Sequence, residues 1–242
     1  MKKYFALIPL CICVVSQAQT KQGTIIYERK VDVHRHIEDE QMKAMVPQFQ
    51  TGKYELLFKD SIIIYKSVKE EEAPDPFDGG GGGGNFVIKI AGPGDNATEY
   101  RNFSNRKFFE QTELEDKKYV IDDTIHLPAW KLSDETKNIS GHICKKATSK
   151  SERGENVTAW YAEDIPVPAG PGSFCGLPGA VLMVDVDNAS VVYTVLDIQS
   201  SLDTKELKEP GDGKHITRAD FMKKMDELFG PPDEKGRRII RN

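Results

Sequence analysis

The sequence predicts an α+β fold, mostly β: a large antiparallel sheet closed on one side by a few short helices. Two observations carry this. Short runs rich in β-branched and aromatic residues recur from residue 23 to residue 199, separated by Asp-, Asn- and Gly-bearing turns. That is the pattern of a meandering antiparallel sheet. Helical spacing of apolar residues is confined to two short segments, one near residue 42 and one near residue 225.

The elements follow in order. Residues 1–18, MKKYFALIPLCICVVSQA, have the parts of an export leader: Lys2 and Lys3, an apolar run from Phe5 to Val15, and a small-residue end at Ser16-Gln17-Ala18. The run is too short to span a bilayer, which takes about 20 residues. Leu10 and Ile12 precede Cys11 and Cys13 where lipid attachment wants a small residue. The expectation is therefore an exported protein, periplasmic or associated with the outer membrane, with no transmembrane segment.

Residues 19–230 read as one β-rich domain. GTIIYERKVDV (23–33) is a strand, and EDEQMKAMVPQFQ (38–50) a short amphipathic helix ended near Pro47. KYELLFKDSIIIYKSV (53–68) is a hairpin turning at Lys59-Asp60-Ser61. Residues 69–85, KEEEAPDPFDGGGGGGN, combine acidic charge, prolines and six consecutive glycines, and form a flexible insertion. The glycine run lacks the Lys-Ser/Thr and the following helix of a phosphate-binding loop. Strand signals then return at 85–92, 97–104, 106–114, 117–123, 129–134, 142–149, 157–164, 180–187 and 189–199. FMKKMDELF (221–229) is a helix, with Thr217 as N-cap and Asp220 as its capping-box partner. Gly230-Pro231-Pro232 ends it, leaving residues 231–242 as a frayed tail.

Charge narrows the partners. The formal net charge is −5, or −7 once the two leader lysines are discounted. No basic stripe is present, so nucleic acid and anionic lipid headgroups are poor partners. Outside the leader the chain keeps Cys144 and Cys175. An even pair in an exported chain is expected to form a disulfide, with two buried free thiols as the alternative.

Residues 174–187, FCGLPGAVLMVDVD, draw attention to a corner. Leu177-Pro178-Gly179-Ala180 has Pro and Gly where a type II turn wants them, with Gly179 accepting a positive φ and Gly176 adding freedom beside it. The wider context is more specific. The Trp130 strand, Glu135-Thr136-Lys137, Ile139 with Gly141, and Cys144-x-Lys146-Ala147 are followed by Ala159-Trp160-Tyr161, Ile165-Pro166, Gly170-Pro171, Phe174 and Gly176-Leu177-Pro178-Gly179. In this order they closely resemble the GLPGLI family of exported proteins from double-enveloped bacteria. The resemblance runs from about residue 24 to about 227, with Ala180-Val181 where that family ends its motif in Leu-Ile. It implies a β-rich envelope domain without established activity, whose members often accompany TonB-dependent uptake systems. It also implies a curved half-barrel, similar to the carriers of lipoproteins.

No complete catalytic constellation is present. Neither a Gly-x-Ser-x-Gly elbow nor a His-Glu-x-x-His helix occurs, and adjacent strand residues Glu163 and Asp164 face opposite ways. The expected site is a binding lip built from Trp160, Tyr161, Pro171, Phe174, Gly176, Leu177, Pro178 and Gly179. It would take an apolar small molecule or an outer-membrane transporter, without a cofactor. Two alternatives stand beside it. His34 and His36, at the end of the first strand and near Met42 and Met45, would share a face and bind copper or zinc. His142 and Cys144, two apart on a strand, would serve a thiol hydrolase if Cys144 were free. Asn96, Asn138, Asn156 and Asn188 begin formal glycosylation sequons, read here as turn and strand residues.

Overall fold

The computed structural model describes residues 21–68 and 97–231. The leader 1–18, the insertion 69–85, the strand expected at 85–92 and all but Pro231 of the tail lie outside the described residues. Twelve strands form one sheet: β1 (Gln22–Asp32), β2 (Phe49–Lys59), β3 (Ile62–Ser67), β4 (Ala97–Asn102), β5 (Lys107–Leu114), β6 (Lys117–Thr124), β7 (Lys131–Ile139), β8 (His142–Lys150), β9 (Asn156–Ala162), β10 (Ala180–Val186), β11 (Val191–Gln199) and β12 (Lys214–Thr217). Helices α1 (Glu40–Met45) and α2 (Arg218–Phe229) complete the set. The strand order is β12-β6-β5-β4-β3-β2-β1-β11-β10-β9-β8-β7, antiparallel except where β12 runs parallel to β6.

The sheet must be rolled. Strands β6 and β7 lie ten places apart in the order, which on a flat sheet is about 48 Å at the usual strand spacing. The linker from Thr124 to Lys131 crosses seven peptide units, at most about 25 Å when fully extended. Only a strongly curled sheet brings these two edges within its reach. The right-handed twist accumulated over twelve strands supplies that curl.

Both faces of the β2–β6 half are covered, which accounts for its long apolar runs. On one face Leu57, Ile64, Tyr100, Phe109 and Val120 pack together beneath Leu202 and Leu207. On the other, register aligns Tyr27, Tyr54 and Leu56 with Tyr65 and Ile63, then Glu99 and Arg101, then Phe108. Helix α2 closes the far end of that face with Phe221 and Met225 against Tyr119 and Ile121. Its cap is the expected one: Thr217 accepts from the Asp220 amide at 3.1 Å, and its hydroxyl donates to the Asp220 carboxylate at 2.8 Å. Helix α1 begins at Asp39, whose side chain accepts from the Gln41 and Met42 amides.

Cys144 and Cys175 are separate, buried thiols, which corrects the expected disulfide. Register puts Cys144 on the face of β8 that carries Lys146, across from Lys137 and Ala162. Cys175 lies in the β9–β10 loop, where its carbonyl accepts from Trp130 and its neighbour Phe174 packs on Tyr193 from the opposite face. Cys144 packs with Ala162 and Ile165, and Cys175 lies near enough to Arg101 and Glu99 to interact with them electrostatically.

Candidate functional site

The most elaborate arrangement is the curled face of the sheet and what covers it. Three segments meet there: strands β1–β5, the 125–130 linker and the 163–179 loop. The loop holds itself closed through its backbone, with Ala180 N donating to Ile165 O at 2.9 Å, Val181 N to Ala169 O at 2.8 Å and Gly176 N to Pro168 O at 3.0 Å. Ile165, Val167 and Ala169 enter the same core as Ile25, Tyr27, Leu56 and Tyr65. Trp130 clasps the linker to the loop by donating from Nε1 to Cys175 O at 2.9 Å. The acidic pair at the loop's start anchors it: Glu163 meets Lys145 at 2.8 Å and Asp164 meets His142 at 2.7 Å. Both lie in the turn after β9 and not on the strand expected to carry them.

The motif residues divide by role. Gly176 supplies the positive φ, at +87°, while Gly179 has none. Gly179 is instead a close approach: a β-carbon there would lie 2.1 Å from Ala162 O. The corner is therefore not the expected type II turn with its positive φ at Gly179. Leu177 is buried with Tyr161 and Val181, Phe174 packs edge-on to Tyr193 at 5.8 Å, and Pro178 is exposed. Pro171 is buried. Trp160 and Tyr161 are neighbours in β9 and face opposite sides. Trp160 joins Met183 with Lys137 5.7 Å above its ring, and Tyr161 joins the cluster under Leu177. These residues build a cover packed on the sheet, and do not line one wall.

Beneath that cover lies a polar cluster that sequence reading missed. Arg29, Glu99 and Arg101 are each 5% exposed, and Tyr27 and Tyr65 are fully buried. Glu99 Oε2 lies 2.7 Å from Arg101 Nη2. The Arg101 guanidinium also sits 4.8 Å from the Phe108 ring centroid. Burial works against its charge, and the Glu99 carboxylate more than offsets this, so Arg101 is firmly cationic. Yet among the described residues Arg101 Nη1, the Tyr65 hydroxyl and Glu99 Oε2 have no hydrogen-bond partner. The Tyr65 ring is stacked on Tyr54 at 5.4 Å, and its burial raises its pKa well above the usual phenol value. It is a neutral donor. The Tyr27 hydroxyl donates to Val181 O at 2.7 Å, tying β1 to the end of the loop. The signal was present in ATEYRNFS: Glu99 and Arg101, two apart, share one face of a strand. Alternation alone does not say that this face is the buried one.

The two alternative sites fare differently. Strand β1 ends at Asp32, and Val33–His36 is a 3₁₀ turn, so the backbone there lacks the strand alternation expected to put positions 34 and 36 on one face. His34 Nε2 lies 3.0 Å from Val46 O. No group of three or more His, Cys, Asp or Glu suited to a metal occurs among the described residues. Cys144 is free, but burial pushes its thiol up from 9.0 to about 11, opposite to what a nucleophile requires. One open cleft of about 500 Å³ lies where β6 and β12 meet α2, lined by Asp122, His215, Lys223 and Glu227 among others. His215 Nδ1 contacts both Asp122 oxygens at 3.0 and 3.1 Å.

Comparisons place this architecture among known proteins. Residues 149–183 match a family described as "Protein of unknown function (Porph_ging)". No curated protein sequence matches the chain. Among solved structures the chain is similar to PNGF-II in two crystal forms, P21 and C2, at 15% identity in each, with TM-scores of 0.58 and 0.57. The likeness covers 84% of this chain in both, but only 33% and 32% of PNGF-II, so the chain spans about a third of that protein's length. An uncharacterized conserved protein from Thermus thermophilus aligns over 82% of this chain and 91% of its own at 6% identity, TM-score 0.42. The PNGF-II likeness is one of fold, a large open sheet with few helices. The 149–183 match falls on β9, the covering loop and the start of β10, the segment that closes the curled face.

Proposed function

We propose that this chain is an exported, non-enzymatic binding protein of the bacterial envelope, of the GLPGLI type. It takes an apolar ligand into the curl of its sheet beneath the 163–179 loop. The carrying observation is the rolled sheet with a clasped cover lying over buried tyrosines, Phe108 and a charged pair. Ligand sites combine apolar walls with a few placed polar groups in this way. The loop is the element suited to move. It is fixed by backbone bonds, the Trp130 clasp, two ion pairs at its exposed base and the burial of Ile165, Val167, Ala169 and Leu177, and displacing it would open the face at the cost of that burial without breaking the strand ladder. The reading is non-enzymatic because the one thiol–imidazole pairing in the sequence has its sulfur buried and its pKa raised. A leader of the export type and a net negative charge are in keeping with an envelope location, and an outer-membrane transporter as the recipient of cargo stays part of the proposal.

The test is uptake of a neutral lipophilic fluorophore, such as 1-aminoanthracene, by protein unfolded, delipidated and refolded. Saturable, stoichiometric uptake supports the proposal. Absence of uptake, together with no lipid in an organic extract of the protein as purified, removes it.

A further inference from the structure

The face of the sheet opposite the curl carries a cover of its own. We propose that residues 200–213 form a strap held over the outer face of the β2–β6 half by charge, which lifts as ionic strength rises and uncovers the apolar patch beneath. This does not depend on the binding reading above.

The strap, SSLDTKELKEPGDG, has four carboxylates against two lysines and ends in the turn-forming run Pro-Gly-Asp-Gly. Both its ends are fixed in the sheet, where Gln199 pairs with Thr24 and Lys214 with Tyr119. Between them the chain forms one 3₁₀ turn, Thr204–Glu206, capped by Asp203. Among the described residues no backbone–backbone hydrogen bond joins 202–212 to the strands beneath.

Side chains supply the hold instead. Leu202 and Leu207 sit half-buried on the cluster that contains Leu57, Ile64 and Phe109. Glu206, Glu209 and Asp212, three apart, each meet a lysine of a different strand: Lys66 of β3, Lys107 of β5 at 3.5 Å and Lys118 of β6 at 2.6 Å. Alternation places Lys66 on the face of Ile64, Lys107 on that of Phe109 and Lys118 on that of Val120, so the lysines rim the patch. Gln111 Nε2 adds one neutral bond, donated to Asp212 O at 2.6 Å.

Charge is the part of this hold that the solution can withdraw. The pairs at Lys107 and Lys118 are exposed on both sides. Each exposed pair is weak alone, but three on one short segment act together. The Debye length falls from about 30 Å at 0.01 M salt to about 3 Å at 1 M, so these contacts fade while the strand ladders persist.

The experiment is limited trypsin digestion of the full chain at about 0.01 M and about 0.5 M sodium chloride, read by mass spectrometry. Lys205 and Lys208 are exposed within the strap, and cutting there follows the population of the lifted state. A synthetic peptide of residues 198–215 corrects for the protease's own response to salt. Cutting at both lysines is expected to rise about fivefold or more with salt, without new cuts in β2–β6. The triple variant Lys66→Gln/Lys107→Gln/Lys118→Gln leaves the strap's sequence intact and should be cut at the fast rate at both salt concentrations. If it fails to fold, Lys107→Gln/Lys118→Gln, confined to exposed positions, carries the decision and should lose about half of the salt response or more. An unchanged rate in the wild type, or a full salt response in the variants, overturns the charge-held strap. Cuts spreading through β2–β6 at high salt would mean that the domain loosens as a whole, and would overturn it too.

Discussion

Gly179 lies so close to Ala162 that a β-carbon on the glycine would sit 2.1 Å from the Ala162 carbonyl oxygen. This contact, between the last residue of the loop and the last residue of β9, fixes how the loop returns to the sheet. The obstacle is backbone on both sides, so no rotamer change relieves it. Gly179→Ala is expected to cost about 3 kcal/mol or more of unfolding free energy. Gly176→Ala meets only the side-chain tip of Leu127, which is exposed and free to turn. It should cost about 1 kcal/mol for its left-handed backbone. Urea denaturation of the two variants checks the order, and a larger loss at Gly176 would contradict it.

The buried ion pair yields a double-mutant cycle. Arg101→Met leaves Glu99 buried without its partner and is expected to destabilise by about 3–5 kcal/mol. Pairing it with Glu99→Leu removes the stranded charge, and most of that loss should return. Chemical denaturation of wild type, both single variants and the double variant gives the coupling. Additive losses would mean that Glu99 and Arg101 do not compensate each other.

How much of this was legible in the sequence depends on what each residue needed from elsewhere. The strand runs were, because IIIY and VVYTV carry β-branched residues whatever pairs with them. The capped helix was too, expected over 221–229 and observed over Arg218–Phe229, since Thr217 and Asp220 act within one turn. Strand β12, KHIT, was not. It is four residues long, mostly exposed, and formed by pairing in parallel with β6, a partner nearly a hundred residues earlier. The first strand, expected over 23–33, runs Gln22–Asp32 and gives way to a 3₁₀ turn over Val33–His36, which alternation in the strand does not foretell. Glu99 and Arg101 escaped notice because alternation puts them on one face but cannot reveal that a rolled sheet covers both sides. The loop could be found but not its role: Trp160 and Tyr161 are adjacent in sequence and separated by the sheet.

Thiol chemistry provides a pH test. Cys144 titrates at about 11 in the folded protein against 9.0 unperturbed, because burial penalises the thiolate. The folded state therefore holds its proton more tightly. The stabilisation is complete below pH 9 and is lost as pH rises toward 11. From Cys144 alone the loss by pH 11 is about 2 kcal/mol. Cys144→Ala should flatten that part of the stability–pH curve. Thermal melts at intervals from pH 7 to 11 measure it, and an identical slope in the variant would refute the assignment.

The free thiols also predict indifference to redox conditions. Denaturing, non-reducing thiol counts should find Cys144 and Cys175 both free, and dithiothreitol should leave the melting temperature unchanged. A count of zero would restore the bond that the structure lacks.

The last prediction concerns the clasp. Trp130 Nε1 donates to Cys175 O, so Trp130→Phe keeps most of the packing and removes one hydrogen bond across the cover. The global cost should be modest, about 1 kcal/mol. Its local effect should be larger, because the linker from β6 to β7 then no longer pins the loop over the curled face. Cys175 belongs to that loop, whereas Cys144 is held in strand β8. Iodoacetamide labelling followed by mass spectrometry should therefore show Cys175 reacting several-fold faster in the variant while Cys144 keeps its wild-type rate. Equal acceleration at both cysteines would mean that the whole domain had loosened, and the 163–179 loop would then not be a separately moving cover.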